Sequence, residues 1–329
     1  MRNLTKDLGQ SNFKYLTTVN PTSIQRILIN RPNQRLGNLL MVTPLIDEIE
    51  RNFPNAKVDV FVKGTLAPTI FKAFPNVDTF IRLPKKPFKE FVEYSKMWFS
   101  IRKKKYDFVI NIDACSSSGR LATKVSRARF KFFGDLPNGV SILEPHMAKF
   151  PVVYFRKCME LIGVEVKKEK IPELNLRLST DELSHGKILL EKLRGDKKNV
   201  IAIFTFATGE KNHGVIWWRK FYDLLKLAFP DSLILEILPA HNESAIAFEA
   251  KEFLSQDIRE LGAVLHHCNV FIGADSGIMH LASAAKVPII GLFNSNNIAR
   301  YLPYGNSNIA VDTRAVSTKE IIELIKERL

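Results

Sequence analysis

Cysteine is scarce in this chain of 329 residues. Cys115, Cys158 and Cys268 are the only three. They are far apart and odd in number, which argues against a disulfide framework, offers no zinc spacing and fits a reducing compartment. No run of about 18 apolar residues occurs, so no membrane-spanning helix is expected. The opening stretch MRNLTKDLGQSNFKYL has no apolar h-region, so a secretory signal is not expected either. Acidic residues are outnumbered: 34 Asp and Glu stand against 48 Lys and Arg, a net charge of +14. No zinc finger or RNP motif accompanies that charge, so nucleic acid is not the expected partner. The basic residues concentrate in the first two-thirds, at Lys85, Lys86, Lys89, Arg102-Lys103-Lys104-Lys105, Arg127, Arg129, Lys131, Lys167, Lys168 and Lys170. They are expected to meet anionic lipid headgroups or a phosphorylated glycolipid. The dinucleotide fingerprint G-x-G-x-x-G is missing around Gly37, and the serine in Gly273-Ala274-Asp275-Ser276-Gly277 is misplaced for a G-x-S-x-G elbow.

What is present is alternation. A hydrophobic content of 46% with 25% charged residues describes a globular protein, and the length suits two domains. Short apolar runs at residues 26–30, 57–62, 79–83, 106–113 and 129–134 read as strands, separated by segments of helical spacing. Residues 39–53 read as one helix in which Pro44 fits only the first turn or a kink. Residues 88–105 read as a basic helix whose aromatic stripe, Phe88, Phe91, Tyr94, Trp98 and Phe99, is assigned to the core. Residues 1–25 read as a loosely packed extension.

A polar segment at residues 172–181 interrupts the pattern, after which strands restart at 200–205, 233–238, 270–274 and 287–293. A helix is expected to follow the turn at residues 239–243. The fold class is therefore α/β: two domains, residues 1–175 and 176–329, each with a mostly parallel sheet. Ligands of such sheets sit beyond the carboxyl ends of strands, and the polar loops at 31–38, 112–118, 205–213, 239–243 and 275–280 all occupy strand ends.

The sharpest of these loops is Asp275-Ser276-Gly277, between the apolar run Val270–Ala274 and the helical run that begins IMHLASAA. Asp275 and Ser276 are N-cap residues, and Gly277 lets a ligand approach the backbone. A helix N-terminus at that place attracts an anion, with phosphate or diphosphate the obvious candidate.

Two motifs, Arg35-Leu36-Gly37-Asn38-Leu39-Leu40-Met41-Val42-Thr43-Pro44-Leu45 and Asp275-Ser276-Gly277-Ile278-Met279-His280-Leu281-Ala282, resemble glycosyltransferase family 9, the ADP-heptose:lipopolysaccharide heptosyltransferases. The match at Tyr106-Asp107-Phe108-Val109-Ile110-Asn111 and the lysine ahead of the Trp217 helix add to the resemblance, which spans most of residues 26–310. It implies a GT-B fold of two facing Rossmann-like domains, the amino-terminal one presenting the acceptor and the carboxy-terminal one holding the donor. It also implies inverting transfer of a heptose-like sugar from a nucleotide-diphosphate donor to a lipopolysaccharide or related glycolipid, with no cofactor and no obligatory metal. The location it implies is cytoplasmic, peripheral at the inner membrane.

Donor binding is expected from Thr205, Thr208, Lys211, Glu243, Asp275, Ser276, Gly277 and His280. Lys211 would balance charge on the leaving group, His280 would reach a phosphate or the sugar, and Glu243 would take the ribose hydroxyls. The family's R-x-G-D aspartate, its catalytic base, is Asn38 here, and an amide is no general base. Asp113, two residues past Asn111 and expected on the same strand face, is the replacement candidate. The alternative is a non-catalytic sugar-nucleotide or glycan-binding homologue.

Overall fold

The computed structural model describes residues 8–13, 19–84, 90–305 and 308–329. Lys85, Lys86, Phe88 and Lys89, placed above in the basic patch and at a helix start, lie outside them. The chain divides into two compact units, Met1–Pro172 and Glu173–Leu329.

The first unit is a parallel sheet of β1 (Arg26–Asn30), β2 (Lys57–Lys63), β3 (Val77–Leu83), β4 (Lys105–Asn111) and β5 (Arg127–Phe132), in the order β3-β2-β1-β4-β5. Its central strands are apolar on both faces because helices cover both sides, the usual demand of a parallel sheet. Leu28, Phe61, Ile81 and Val109 pack with Met97 and Ile101 of the helix Phe91–Lys103 in one layer of that core.

The order of strands reverses between β1 and β4, and the crevice beyond the carboxyl ends of those two strands is where such sheets bind ligands. β1 and β4 end on Asn30 and Asn111, which are register partners and fully buried. Asn30 donates to the Gly119 carbonyl and the Thr123 hydroxyl; Asn111 donates to the Asp113 and Phe133 carbonyls. A Cβ on Gly119 would collide with Asn111 Oδ1, so that glycine makes room for the amide.

Asn111 therefore pins the loop behind β4 and does not reach into the crevice. The expectation that it shares a strand face with Asp113 is corrected: β4 stops at Asn111, and Asp113 sits in the loop beyond. Nor is the whole of residues 8–25 loosely packed. Ser11 bonds Asp135 through its hydroxyl and its N–H, and Phe13 stacks on Phe132.

The expected single helix at 39–53 is two helices, Leu36–Leu40 and Thr43–Asn52, with Pro44 in the first turn of the second, where its missing N–H costs no hydrogen bond. The buried Glu48 carboxylate holds Arg156 of the helix Lys149–Leu161 in a two-pronged pair at 2.6 and 2.9 Å.

The second unit is a parallel sheet of β6 (Asn199–Phe204), β7 (Ser232–Ile237), β8 (Lys251–Phe253), β9 (Val270–Ala274), β10 (Ile289–Phe293) and β11 (Ile309–Asp312), in the order β11-β10-β9-β6-β7-β8. This is the doubly wound Rossmann order, and its reversal falls between β6 and β9. β9 and β10 are buried at every residue.

The helix Thr180–Arg194, not foreseen above, starts on a capping box between Ser179 and Glu182. It lies so close to the helix Ile258–His266 that a Cβ on Gly186 would meet the Ala263 backbone at 2.5 Å. The helix expected after residue 243 is absent. Ala247 and Phe248 take left-handed backbone angles, turns occupy the segment, and β8 follows.

Candidate active site

The switch point of the second unit is formed by the loops that leave β6 and β9. From the first, a 3-10 turn, Gly209–Lys211, projects Lys211; from the second, Asp275 stands at the end of β9. Lys211 Nζ lies 2.5 Å from Asp275 Oδ2. The two ends of this pair differ in exposure: 34% for the lysine side chain and 4% for the aspartate. Burial pushes the Asp275 carboxyl above its ordinary range, opposed by its hydrogen bond to Lys211 and that lysine's charge. Asp275 thus works as a buried anchor, and the ammonium is what the surface offers.

The helix Gly277–Ala284 begins immediately afterwards. Ser276 caps it by accepting from the Met279 N–H at 3.2 Å. The Gly277 and Ile278 N–H groups belong to the first turn, which has no intrahelical acceptors, and Asp275, the partner of Lys211, lies two residues before that turn. His280 is buried one turn in, its Nε2 3.9 Å from Asp275 Oδ1.

Tyr301, at the end of the short helix Ile298–Tyr301, completes the group. Lys211 Nζ stands 5.0 Å from the centre of its ring, and His280 lies 6.3 Å from it. Sequence reading missed Tyr301, because a lone tyrosine 26 positions beyond Asp275 carries no periodic signal. An ammonium paired with a carboxylate, with an aromatic ring beside it and a helix N-terminus two residues past that carboxylate, is an arrangement suited to an anion.

Other expected donor residues are placed differently. Thr205 is buried; its hydroxyl donates to Glu236 at 2.7 Å and accepts from the Ala245 N–H, so it is not offered to a phosphate. Glu236, buried near the end of β7, also accepts from Ser244 at 2.8 Å, and burial lifts its carboxyl above the ordinary range against these hydrogen bonds. This network fixes the loop after β7. Thr208 is exposed beside the 3-10 turn. Glu243 is exposed on a turn, 3.1 Å from His241 Nε2.

His213, two residues past Lys211, packs against Trp217 and meets Thr313 Oγ1 at 2.9 Å. Thr313 gives its own proton to the Phe293 carbonyl, so the imidazole donates from Nε2 and is neutral; burial pushes its pKa down to about 4.

In the first unit the corresponding switch point carries the pair Arg31–Asp113, at 3.0 Å. Asp113 Oδ1 also accepts from the Cys115 N–H. Asn38 is half-buried at the third position of its helix, and among the described residues its side chain has no hydrogen bond. A basic hollow of about 800 Å³ opens at the amino ends of β1, β2, β4 and β5, lined by Arg26, Lys57, Lys105, Arg127 and Arg129. That is the end of the strands away from the switch point, so it is not part of this site. Among the described residues no group of three or more His, Cys, Asp or Glu side chains is placed to hold a metal.

The profile of glycosyltransferase family 9 (heptosyltransferase) matches residues 254–323, the segment that contains Asp275, Ser276, Gly277, His280 and Tyr301. Lipopolysaccharide heptosyltransferase 3 of Escherichia coli is 25% identical over 86% of this chain and 89% of its own. Both likenesses point to glycosyltransferase family 9, to which this chain is similar. Solved structures share the fold of this chain. A Veillonella parvula family 9 glycosyltransferase has a TM-score of 0.69 at 19% identity, covering 94% of this chain and 93% of its own. E. coli heptosyltransferase WaaC, solved with ADP, has 0.70 at 16% identity, covering 93% and 100%. The likeness shows the fold: GT-B, two Rossmann-like units in tandem.

Proposed function

We propose that this chain transfers a heptose-like sugar from a nucleotide-diphosphate donor to a lipopolysaccharide or related glycolipid, inverting the anomeric carbon. The observation that carries the reading is the Lys211–Asp275 pair across the second unit's switch point, beside the N-terminus of the helix Gly277–Ala284. The relatives named lipopolysaccharide heptosyltransferase and the neighbour solved with ADP support the donor class. Three free cysteines and a donor made from a nucleotide support a cytoplasmic site of action, at the inner membrane where the acceptor lies.

In this reading the acceptor hydroxyl attacks the anomeric carbon, a new C–O bond forms, and the bond from that carbon to the β-phosphate oxygen breaks. The departing diphosphate gains negative charge. Lys211 and the Gly277 and Ile278 N–H groups sit where that charge develops, and stabilising it is their contribution to the rate. Asp275 orients Lys211. His280 lines the same opening, Thr208 flanks Lys211, and Glu243 takes the ribose hydroxyls. On the acceptor side, Asp113 receives the hydroxyl proton, and Asn38 orients the hydroxyl by hydrogen bonding. No metal is required in this scheme, because the cation and the helix N-terminus already face the diphosphate.

The test is turnover with ADP-heptose and a heptose-deficient lipopolysaccharide, with the product's anomeric configuration read by NMR. A product of inverted configuration is expected. Absence of transfer from ADP-, GDP- and UDP-linked sugars alike would overturn the reading.

A further inference from the structure

The helix Phe91–Lys103 holds the sheet with one side and presents a second apolar surface on the other. Met97 and Ile101 are buried, and Tyr94 and Trp98 pack against the same core. Phe91 and Phe99 are each 68% exposed and Val92 is 56% exposed. At 100° per residue, Phe91, Val92 and Phe99 fall within an arc of roughly 140° that also carries Lys96, Arg102 and Lys103. Glu93, the helix's one acid, lies off that arc.

Leu143, Ile188 and Leu227 are exposed apolar residues without an exposed apolar sequence neighbour, and Val215 and Ile216 form an exposed pair at the start of the helix Val215–Ala228. Lys131 of β5 donates from Nζ to the Lys124 carbonyl at 2.7 Å, and burial, with the Arg102 charge second, lowers its pKa. The rest of the basic run is otherwise employed. Lys104 Nζ bonds the buried Asp59 at 2.8 Å, and Lys105 lines the hollow at the amino ends of the strands. The expectation that residues 102–105 act as one patch is therefore narrowed to the helix face.

We propose that this face is the membrane-docking surface of the protein. Phe91, Val92 and Phe99 enter the boundary between headgroups and acyl chains of an anionic bilayer, and Lys96, Arg102 and Lys103 meet its phosphates. Aromatic residues flanked by lysine and arginine on one helical face are what an interfacial helix requires, and the charge complementarity selects anionic lipid over a neutral partner. The proposal rests on the reading of the acceptor as a membrane glycolipid.

The test is cosedimentation of the full chain with vesicles of phosphatidylcholine, with and without phosphatidylglycerol, at low and high salt. Binding to the anionic vesicles is expected, and binding to neutral ones is expected to be much weaker. Phe91→Ser/Phe99→Ser is expected to lower it about tenfold at either salt concentration, since apolar burial is not screened. Lys96→Ala/Arg102→Ala/Lys103→Ala is expected to lower it roughly fivefold per charge at low salt and little at high salt. Both variants alter exposed side chains, so their melting temperatures and nucleotide-diphosphate affinity should match the parent.

Undiminished vesicle binding by the aromatic variant would overturn the proposal. So would a parent dimer that becomes monomeric in that variant with vesicle binding intact, which would make the face a protein interface. Vesicle binding that falls as expected, in a protein that binds no nucleotide diphosphate, would uphold the surface while removing the transferase reading.

Discussion

The two sheets carry the same kind of ion pair at the same topological position, with the exposed partner exchanged. In each unit a cation leaves the loop after the first strand, and an aspartate leaves the loop after the strand that reverses the order. In the first unit Arg31 is the buried member at 7% and Asp113 is 38% exposed; in the second Asp275 is buried and Lys211 is open. Burying one partner fixes the other in place. What is left at the surface is a carboxylate in the first unit and an ammonium in the second. A carboxylate suits a hydroxyl that must lose a proton, and an ammonium suits a diphosphate that must leave. In the proposed reaction, the division of labour between acceptor and donor follows from which half of a salt bridge is exposed.

The comparison breaks most visibly at Asp113. Asp113→Asn keeps the shape and removes the base, so turnover should fall by about 10²–10⁴ with little change in donor affinity, measured as a kcat loss in initial-rate assays. Asn38→Ala should lose less. If Asn38→Asp instead raises turnover while Asp113→Asn does little, the base belongs at position 38 and the pairing of roles is wrong.

Lys211→Ala should lower kcat/KM by about 10²–10³, because it removes one preorganised contact to the leaving group. It should weaken nucleoside-diphosphate binding as well, and Lys211→Arg should recover part of both. Gly277→Val places a branched side chain at the helix opening; dissociation constants for ADP should rise roughly tenfold, from crowding of N–H groups that otherwise contact phosphate.

The smallest effect concerns His213, behind Lys211. Its folded-state pKa of about 4 lies below the ordinary 6.5, so between those values the unfolded chain binds the extra proton. Stability therefore rises with pH across that window, and it is lost as pH falls from about 6.5 toward 4. Allowing for partial solvent screening, the loss is about 2 kcal/mol. Denaturant titrations of the parent and His213→Gln across that range should show this slope only in the parent.

The alternation of apolar runs and helical segments made both Rossmann-like units legible in the sequence, because parallel strands buried on two faces must be apolar throughout. The anion-binding turn at Asp275-Ser276-Gly277 was legible for a local reason: N-cap chemistry is written in consecutive residues. What was hidden depends on contacts between distant residues. Thr205 looked available to a phosphate, but its hydroxyl is taken by Glu236, 31 residues away. Arg31 gave no sign of meeting Asp113, and Tyr301 none of covering Lys211.

The segment after Glu243 has helix-forming composition, yet left-handed angles at Ala247 and Phe248 turn it into a loop tied to Ser244. The aromatic stripe of the helix Phe91–Lys103 was assigned wholly to the core, and the structure divides it. Tyr94 and Trp98 pack inward while Phe91 and Phe99 face out, a distinction that spacing alone does not make when apolar residues occupy both sides of a helix.

The most direct test of the exchanged pairs is calorimetric titration of ADP into the parent, Lys211→Ala and Asp113→Asn, side by side. The account predicts at least roughly tenfold weaker binding for Lys211→Ala, the loss of one charge-assisted contact, and parental affinity for Asp113→Asn. Equal affinity in the parent and Lys211→Ala, or a loss confined to Asp113→Asn, would contradict it.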